Sequence, residues 1–122
     1  MGPRPGDRPG AVGGFSPVLK DRAGEFFAKD WIDAEPRLGK RGGAFCAYNT
    51  PDTHPVVLQS YQNRLDDVMT LAHELGHGVH ASLSRKQGYF DFHATLPLAE
   101  LASTFGDMLV FEALVKDATP KD

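Results

Sequence analysis

Cysteine is almost missing from this chain: Cys46 is the only one in 122 residues. No intrachain disulfide can close and a cysteine-based zinc cluster is excluded, so a reducing, cytoplasmic setting is the simplest reading. Alone in a short apolar stretch, Cys46 reads as a small buried strand residue. Long apolar runs are missing too. None approaches the roughly 20 residues of a membrane span, and the N-terminus lacks the charged-then-apolar plan of a signal peptide. Charge of one sign is also scarce: 13 Lys and Arg stand against 16 Asp and Glu, a net charge of −3 with no concentrated basic stripe. Nucleic acid and membrane are therefore not expected partners.

What remains is an ordinary globular composition, 41% hydrophobic, at a length that supports one domain with a modest core. Residues 1–14, "MGPRPGDRPGAVGG", alternate glycine, proline and charge, and read as a disordered leader outside the fold. Residues 15–122 form the core segment. Ser16 followed by Pro17 starts a helix carrying Val18, Leu19, Phe26, Phe27, Trp31 and Ile32, which should stop before Pro36. A basic, glycine-rich loop, Arg37 to Gly43, leads into "GAFCAYN" and "HPVVLQSY", two strands of a hairpin. Pro55 places the start of its strand there, or the strand at an edge. From Arg64 to Ser84 the period is helical, with Val68, Ala72, Leu75, Val79 and Leu83 in one arc at about 100° per residue. A third helix runs from about Pro97 to Val115. The expected class is mainly α with a small β-hairpin, an α+β fold.

The stretch "TLAHELGHGVH" holds three of the five histidines. His73 and His77 are four residues apart, which on a helix rotates the second ring by about 40° and advances it about 6 Å, so both can reach one ion. Glu74 lies near the same face and could take a proton from water. These three residues match the HExxH pattern of zinc peptidases. A solvated, histidine-rich face is the competing reading, but the apolar arc points roughly 140° to 160° away from the histidines, so the core has no use for them. Gly76 and Gly78 each cost about 1 kcal/mol in a helix interior. Close approach of another backbone or a substrate would explain them.

A catalytic zinc needs three protein ligands and an open position. The continuation HExxHxxGxxH is excluded, because His80 and Leu83 stand where it needs glycine and histidine. A glutamate from the following helix is the other solution, and "LPLAELASTFGD" offers Glu100. There Glu100, Ser103, Thr104 and Asp107 share one side, while Leu98, Leu101, Phe105, Met108 and Leu109 share the other and should face the core. With Leu98, Leu101 and Ala102 as neighbours, Glu100 should sit on a largely buried helix. Asp107 is placed to accept an N–H from a ligating histidine. His80 reads as solvated or supporting, and His54 and His93 receive no role.

These segments have an order that is itself informative. "WIDAEP", "GKRGGAFC", "HPVVLQSY", "DDVMTLAHELGHGVH" and "LAELASTFGDML" together resemble the catalytic segment of the oligoendopeptidase F family, among the thimet-oligopeptidase-like zinc peptidases. The resemblance runs from Phe15 to Val115. It implies a zincin-like (gluzincin) core with one zinc ion on His73, His77 and Glu100, and Glu74 as general base. It also implies that Gly43, Ala44 and Phe45 pair with an extended peptide as a substrate-binding edge strand. Asp107 falls where many relatives carry glutamate.

Family members are several times longer, with a helical N-terminal portion and a downstream segment supplying histidine and tyrosine to the oxyanion. A fragment of a larger helical peptidase is therefore expected. The implied activity is zinc-dependent hydrolysis of short, unstructured peptides. The alternative is a truncated zinc-binding and peptide-binding module without efficient turnover. Expected partners are short peptides, with the missing remainder of the enzyme or a second copy covering exposed apolar faces.

Overall fold

A computed structural model describes residues 15–118, so the expected leader at 1–14 lies outside the described residues. Among the described residues three helices and three short strands follow one another: α1 (Pro17–Ala28), β1 (Ile32–Asp33), β2 (Ala44–Ala47), β3 (Val56–Gln59), α2 (Leu65–Ser84) and α3 (Leu96–Asp117). The architecture is mainly helical with a small sheet, one strand larger than the expected hairpin.

Helix α1 starts as its sequence requires. Ser16 is extended, its hydroxyl accepts the Leu19 N–H at 3.4 Å, and Pro17 fills the first turn. Its end corrects the expectation that Trp31 and Ile32 belong to it. Asp30 adopts φ 55°, and the Trp31 N–H then bonds back to Phe26 O at 3.0 Å, closing a left-handed C-cap. Aspartate tolerates this conformation through its short polar side chain, so no glycine marks the stop.

Released from the helix, the chain turns into the sheet. The Trp31 carbonyl accepts the Val57 N–H at 2.8 Å. Ile32 and Asp33 pair in parallel with Val57 and Leu58. On the other side, β2 pairs antiparallel with β3, Cys46 opposite Val57 and Phe45 opposite Leu58. The order β1-β3-β2 makes β2 an edge strand. Pro55 is buried immediately before the central strand, where its missing N–H costs no ladder bond.

Helix α2 is tied to the sheet at its first turn. Asp67 Oδ2 accepts the N–H groups of Gln62 (2.9 Å) and Arg64 (3.1 Å), and buried Gln59 donates through Nε2 to Asp67 O at 2.9 Å. Phe26, Val57, Tyr61, Val68 and Leu71 make the core, with Trp31, Ile32, Cys46, Leu75, Val110 and Leu114 packed around it. Leu83, expected in the buried arc, is 41% exposed.

The packing of α3 reverses an expectation. Leu98, Leu101, Phe105 and Met108 are exposed, while Ala99 and Ser103 are buried, so the small and polar side faces α2. The cause is proximity. A methyl group placed on Gly76 would lie 2.7 Å from Ser103 Cα and 2.9 Å from Ala102 O, and one on Gly106 would lie 3.0 Å from Ala72 O. Bulky residues cannot occupy a crossing this tight. Gly78 serves a different neighbour, the ring of Phe26, 2.5 Å from where its methyl would sit.

The loop from α2 to α3 is fastened to the β2–β3 turn. Arg85 Nε donates to Pro51 O at 2.9 Å, His93 Nε2 lies 3.3 Å from Asn49 O, and Phe92 is buried. Among the described residues, no helix is long and apolar enough to cross a membrane.

Candidate metal centre

The helical spacing of four residues does what the sequence promised: the His73 and His77 rings stand 4.9 Å apart at 82°. Across the crossing, Glu100 Oε2 lies 3.3 Å from His73 Nε2, and Oε1 lies 3.6 Å from His77 Nε2. One donor atom from each of the three residues falls within 4.8 Å of the others. Zinc bonds of about 2.0–2.1 Å in a tetrahedron put neighbouring ligand atoms roughly 3.3–3.4 Å apart, so the two His–Glu gaps have the span that such an ion requires. The donor set, two imidazoles and a carboxylate, suits the same ion.

The groups behind these donors fix their orientation. Asp107 Oδ2 is 3.0 Å from His73 Nδ1. An ionised carboxylate only accepts, so Nδ1 carries a proton and Nε2 is turned toward Glu100. Burial pulls the His73 pKa down, but the Asp107 hydrogen bond and the charges of Asp107, Glu74 and Glu100 outweigh it and hold the value above the ordinary one. Fully buried Ser103 lies 3.0 Å from Glu100 O and 3.3 Å from Glu100 Oε2, so its single proton restrains the glutamate. The three-residue spacing of Glu100 and Ser103 was visible in the sequence, but the role of the hydroxyl was not. Glu100 is 47% exposed and its leucine neighbours point outward, which corrects the expectation of a largely buried setting.

Glu74 sits where α2 meets the sheet. Burial raises its pKa, opposed by His77, His73 and a hydrogen bond from the Cys46 backbone, with a net upward shift. Because the Val57 N–H goes to Trp31 O on β1, the alternation of an antiparallel ladder turns the main-chain groups of its β2 partner Cys46, and of Ala44, to the edge left open among the described residues. Phe45, opposite Leu58, spends its main-chain groups on β3. Gly43, at φ 85°, turns the chain into the strand. The Cys46 thiol is pushed up to about 12 by burial and by Glu74, so it stays protonated and takes no part as a thiolate. His54 stacks on Trp31 and His93 on Tyr48.

The model of Peptidase family M3 matches residues 14–122, nearly the whole chain. The chain belongs to peptidase family M3. An oligoendopeptidase F homolog of Lactococcus lactis subsp. lactis is 36% identical over 105 residues, covering 85% of this chain and 17% of that protein. Oligopeptidase PepF of Bacillus subtilis is 31% identical over 104 residues, covering 84% and 15%. Among solved structures, a Chlamydophila abortus protein described as a peptidase superposes with a TM-score of 0.85 at 33% identity, covering 93% of this chain and 19% of that one. The expected kinship with oligoendopeptidase F holds. This M3 segment spans about a sixth of the length of the relatives it matches.

Proposed function

We propose that the chain carries the zinc site of an oligoendopeptidase F-like metallopeptidase that hydrolyses short, unstructured peptides. The observation that carries this is the meeting of His73, His77 and Glu100 from two helices, with Glu74 next to His73 on α2. When bound, zinc supplies Lewis-acid polarisation of a carbonyl and a lowered pKa for water. Glu74, its carboxyl pKa raised by burial, accepts the proton of the attacking water and passes it to the leaving amine. Asp107 holds the proton on His73 Nδ1. The open edge of β2, through Ala44 and the Cys46 carbonyl, aligns an extended peptide by main-chain hydrogen bonds. Gly43 supplies the turn that lets the strand start beside the site.

Zinc stoichiometry of the parent and of Glu100→Ala tests the ligand set: about one ion in the parent and a loss in the variant is expected, and equal content in both would reject it. A fluorogenic oligopeptide assay against Glu74→Gln tests the chemistry. The alternative reading, a zinc-binding and peptide-binding module with little turnover, is separated from this one by the same assay. Equal background rates in parent and Glu74→Gln, with zinc bound, would favour it.

A further inference from the structure

Tyr48 directly follows β2 and stands two residues beyond Cys46, whose main-chain groups turn to the open edge. At about 3.3 Å per residue, that is some 6–7 Å along the edge from Cys46, the spacing of successive same-face side chains on a bound strand. By strand alternation Tyr48 shares its face of the sheet with Cys46, whose side chain packs toward the core and lies within electrostatic reach of Glu74.

The Tyr48 ring is held from two directions. His93 stacks on one face, with centroids 4.9 Å apart and planes at 22°, and Phe92 meets the ring edge-on at 5.7 Å and 88°. Both holders are themselves fixed: Phe92 is 2% exposed and His93 Nε2 lies 3.3 Å from Asn49 O. Tyr48 remains half-buried, so the stack leaves part of the ring uncovered. Its phenol pKa is raised by burial and then by Cys46 and Glu100, which keeps it neutral. A rigid aromatic surface with its orientation already set costs little entropy when a ligand side chain lands on it.

We propose that Tyr48, buttressed by Phe92 and His93, forms a side-chain subsite that selects an aromatic or large aliphatic residue of a peptide lying along the free edge of β2. The inference rests on the peptide-binding reading above and adds the class of side chain that the site takes. Tyr48 is then a specificity residue, acting through ring contact and not through its hydroxyl.

The test is equilibrium binding to the zinc-loaded 122-residue protein carrying Glu74→Gln, which blocks hydrolysis, using acetyl-Gly-Phe-Gly-Gly-amide and its Ala counterpart. The Phe peptide should bind about threefold to tenfold more tightly, the range an aromatic contact supplies. Adding Tyr48→Ala should erase that ratio while leaving zinc affinity intact, and Tyr48→Phe should preserve it. NMR of the protein without a Tyr48 substitution, titrated with the Phe peptide, should show ring-current shifts at Tyr48 that the Ala peptide does not produce. An unchanged ratio in Tyr48→Ala, equal binding of both peptides, or an unshifted Tyr48 overturns the subsite while leaving the peptide site standing. Failure of both peptides to bind removes the peptide-site reading, and the subsite with it.

Discussion

Adding one methyl group at Gly76 should weaken zinc binding at a residue that touches no ligand atom. The methyl would lie 2.7 Å from Ser103 Cα, 2.9 Å from Ala102 O and 3.2 Å from Ser103 O, all backbone atoms that cannot rotate away. Relaxed carbon contacts need about 3.5–4.0 Å, so α3 must retreat by roughly 0.8 Å or more. Glu100 sits one turn from Ser103 and would be carried along, opening its 3.3 and 3.6 Å gaps to the two histidines beyond what one ion spans. For stability, overpacking costs about 1–3 kcal/mol. The better helix propensity of alanine returns about 1 kcal/mol. A net loss between zero and about 2 kcal/mol is expected, with zinc affinity falling tenfold or more in a chelator-competition assay. Gly24→Ala on α1 is the control, because nothing lies within 4 Å of the added methyl. It should gain about 0.4–1 kcal/mol in thermal unfolding and leave zinc affinity alone. If Gly76→Ala behaves like Gly24→Ala, the tight crossing does not set the site and the reasoning fails.

Three other expectations concern the same helix pair. Asp107→Asn removes the charge that anchors His73 Nδ1 and should cost about 10-fold to 100-fold in zinc affinity with little change in the thermal midpoint of the metal-free protein; an unchanged affinity would remove Asp107 from the site. Zinc at 100 times its dissociation constant should raise unfolding free energy by about 2.7 kcal/mol, and Glu100→Ala should shrink that gain in the same denaturation series. The exposed stripe of Leu98, Leu101, Phe105 and Met108 should produce a concentration-dependent mass in light scattering that Leu101→Glu reduces; a strict monomer throughout would refute self-association.

The parts that could be read from sequence were those in which one residue type has one job. The approach of His73 and His77 was legible in their spacing, that of Glu100 in the lack of any other third ligand, and the hairpin in two short apolar runs around a turn. Boundaries of α2 and α3 came within a residue or two, α2 from its clear period and α3 from the proline in its first turn. Three things did not declare themselves. The stop of α1 rests on an aspartate at positive φ, and β1 is a two-residue strand with no pattern of its own. The facing of α3 was misread because hydrophobic periodicity weighs size, and the close crossing selects against size. Ala99, Ser103 and Gly106 carry little signal on such a scale, yet they decide which side of α3 turns inward.

That reversal explains how the site is built. A crossing lined by bulky apolar residues would hold helix axes about 8–10 Å apart at the far end of the usual range, and side chains would fill the space between them. Glycine and serine bring the backbones close enough for a one-turn reach, so the short lever of Glu100 meets histidines on the neighbouring helix. The cost is apolar burial: the pair gives up the leucines and Phe105 that a core-facing α3 would have enclosed. Part of the lost cohesion can be restored by an ion that binds both helices at once, since ligands from α2 and α3 separate when the pair opens. Metal affinity and the stability of the crossing are therefore one linked quantity. Substitutions at Gly76 and at Glu100 should act on that quantity from its two ends, the first by spacing and the second by chemistry.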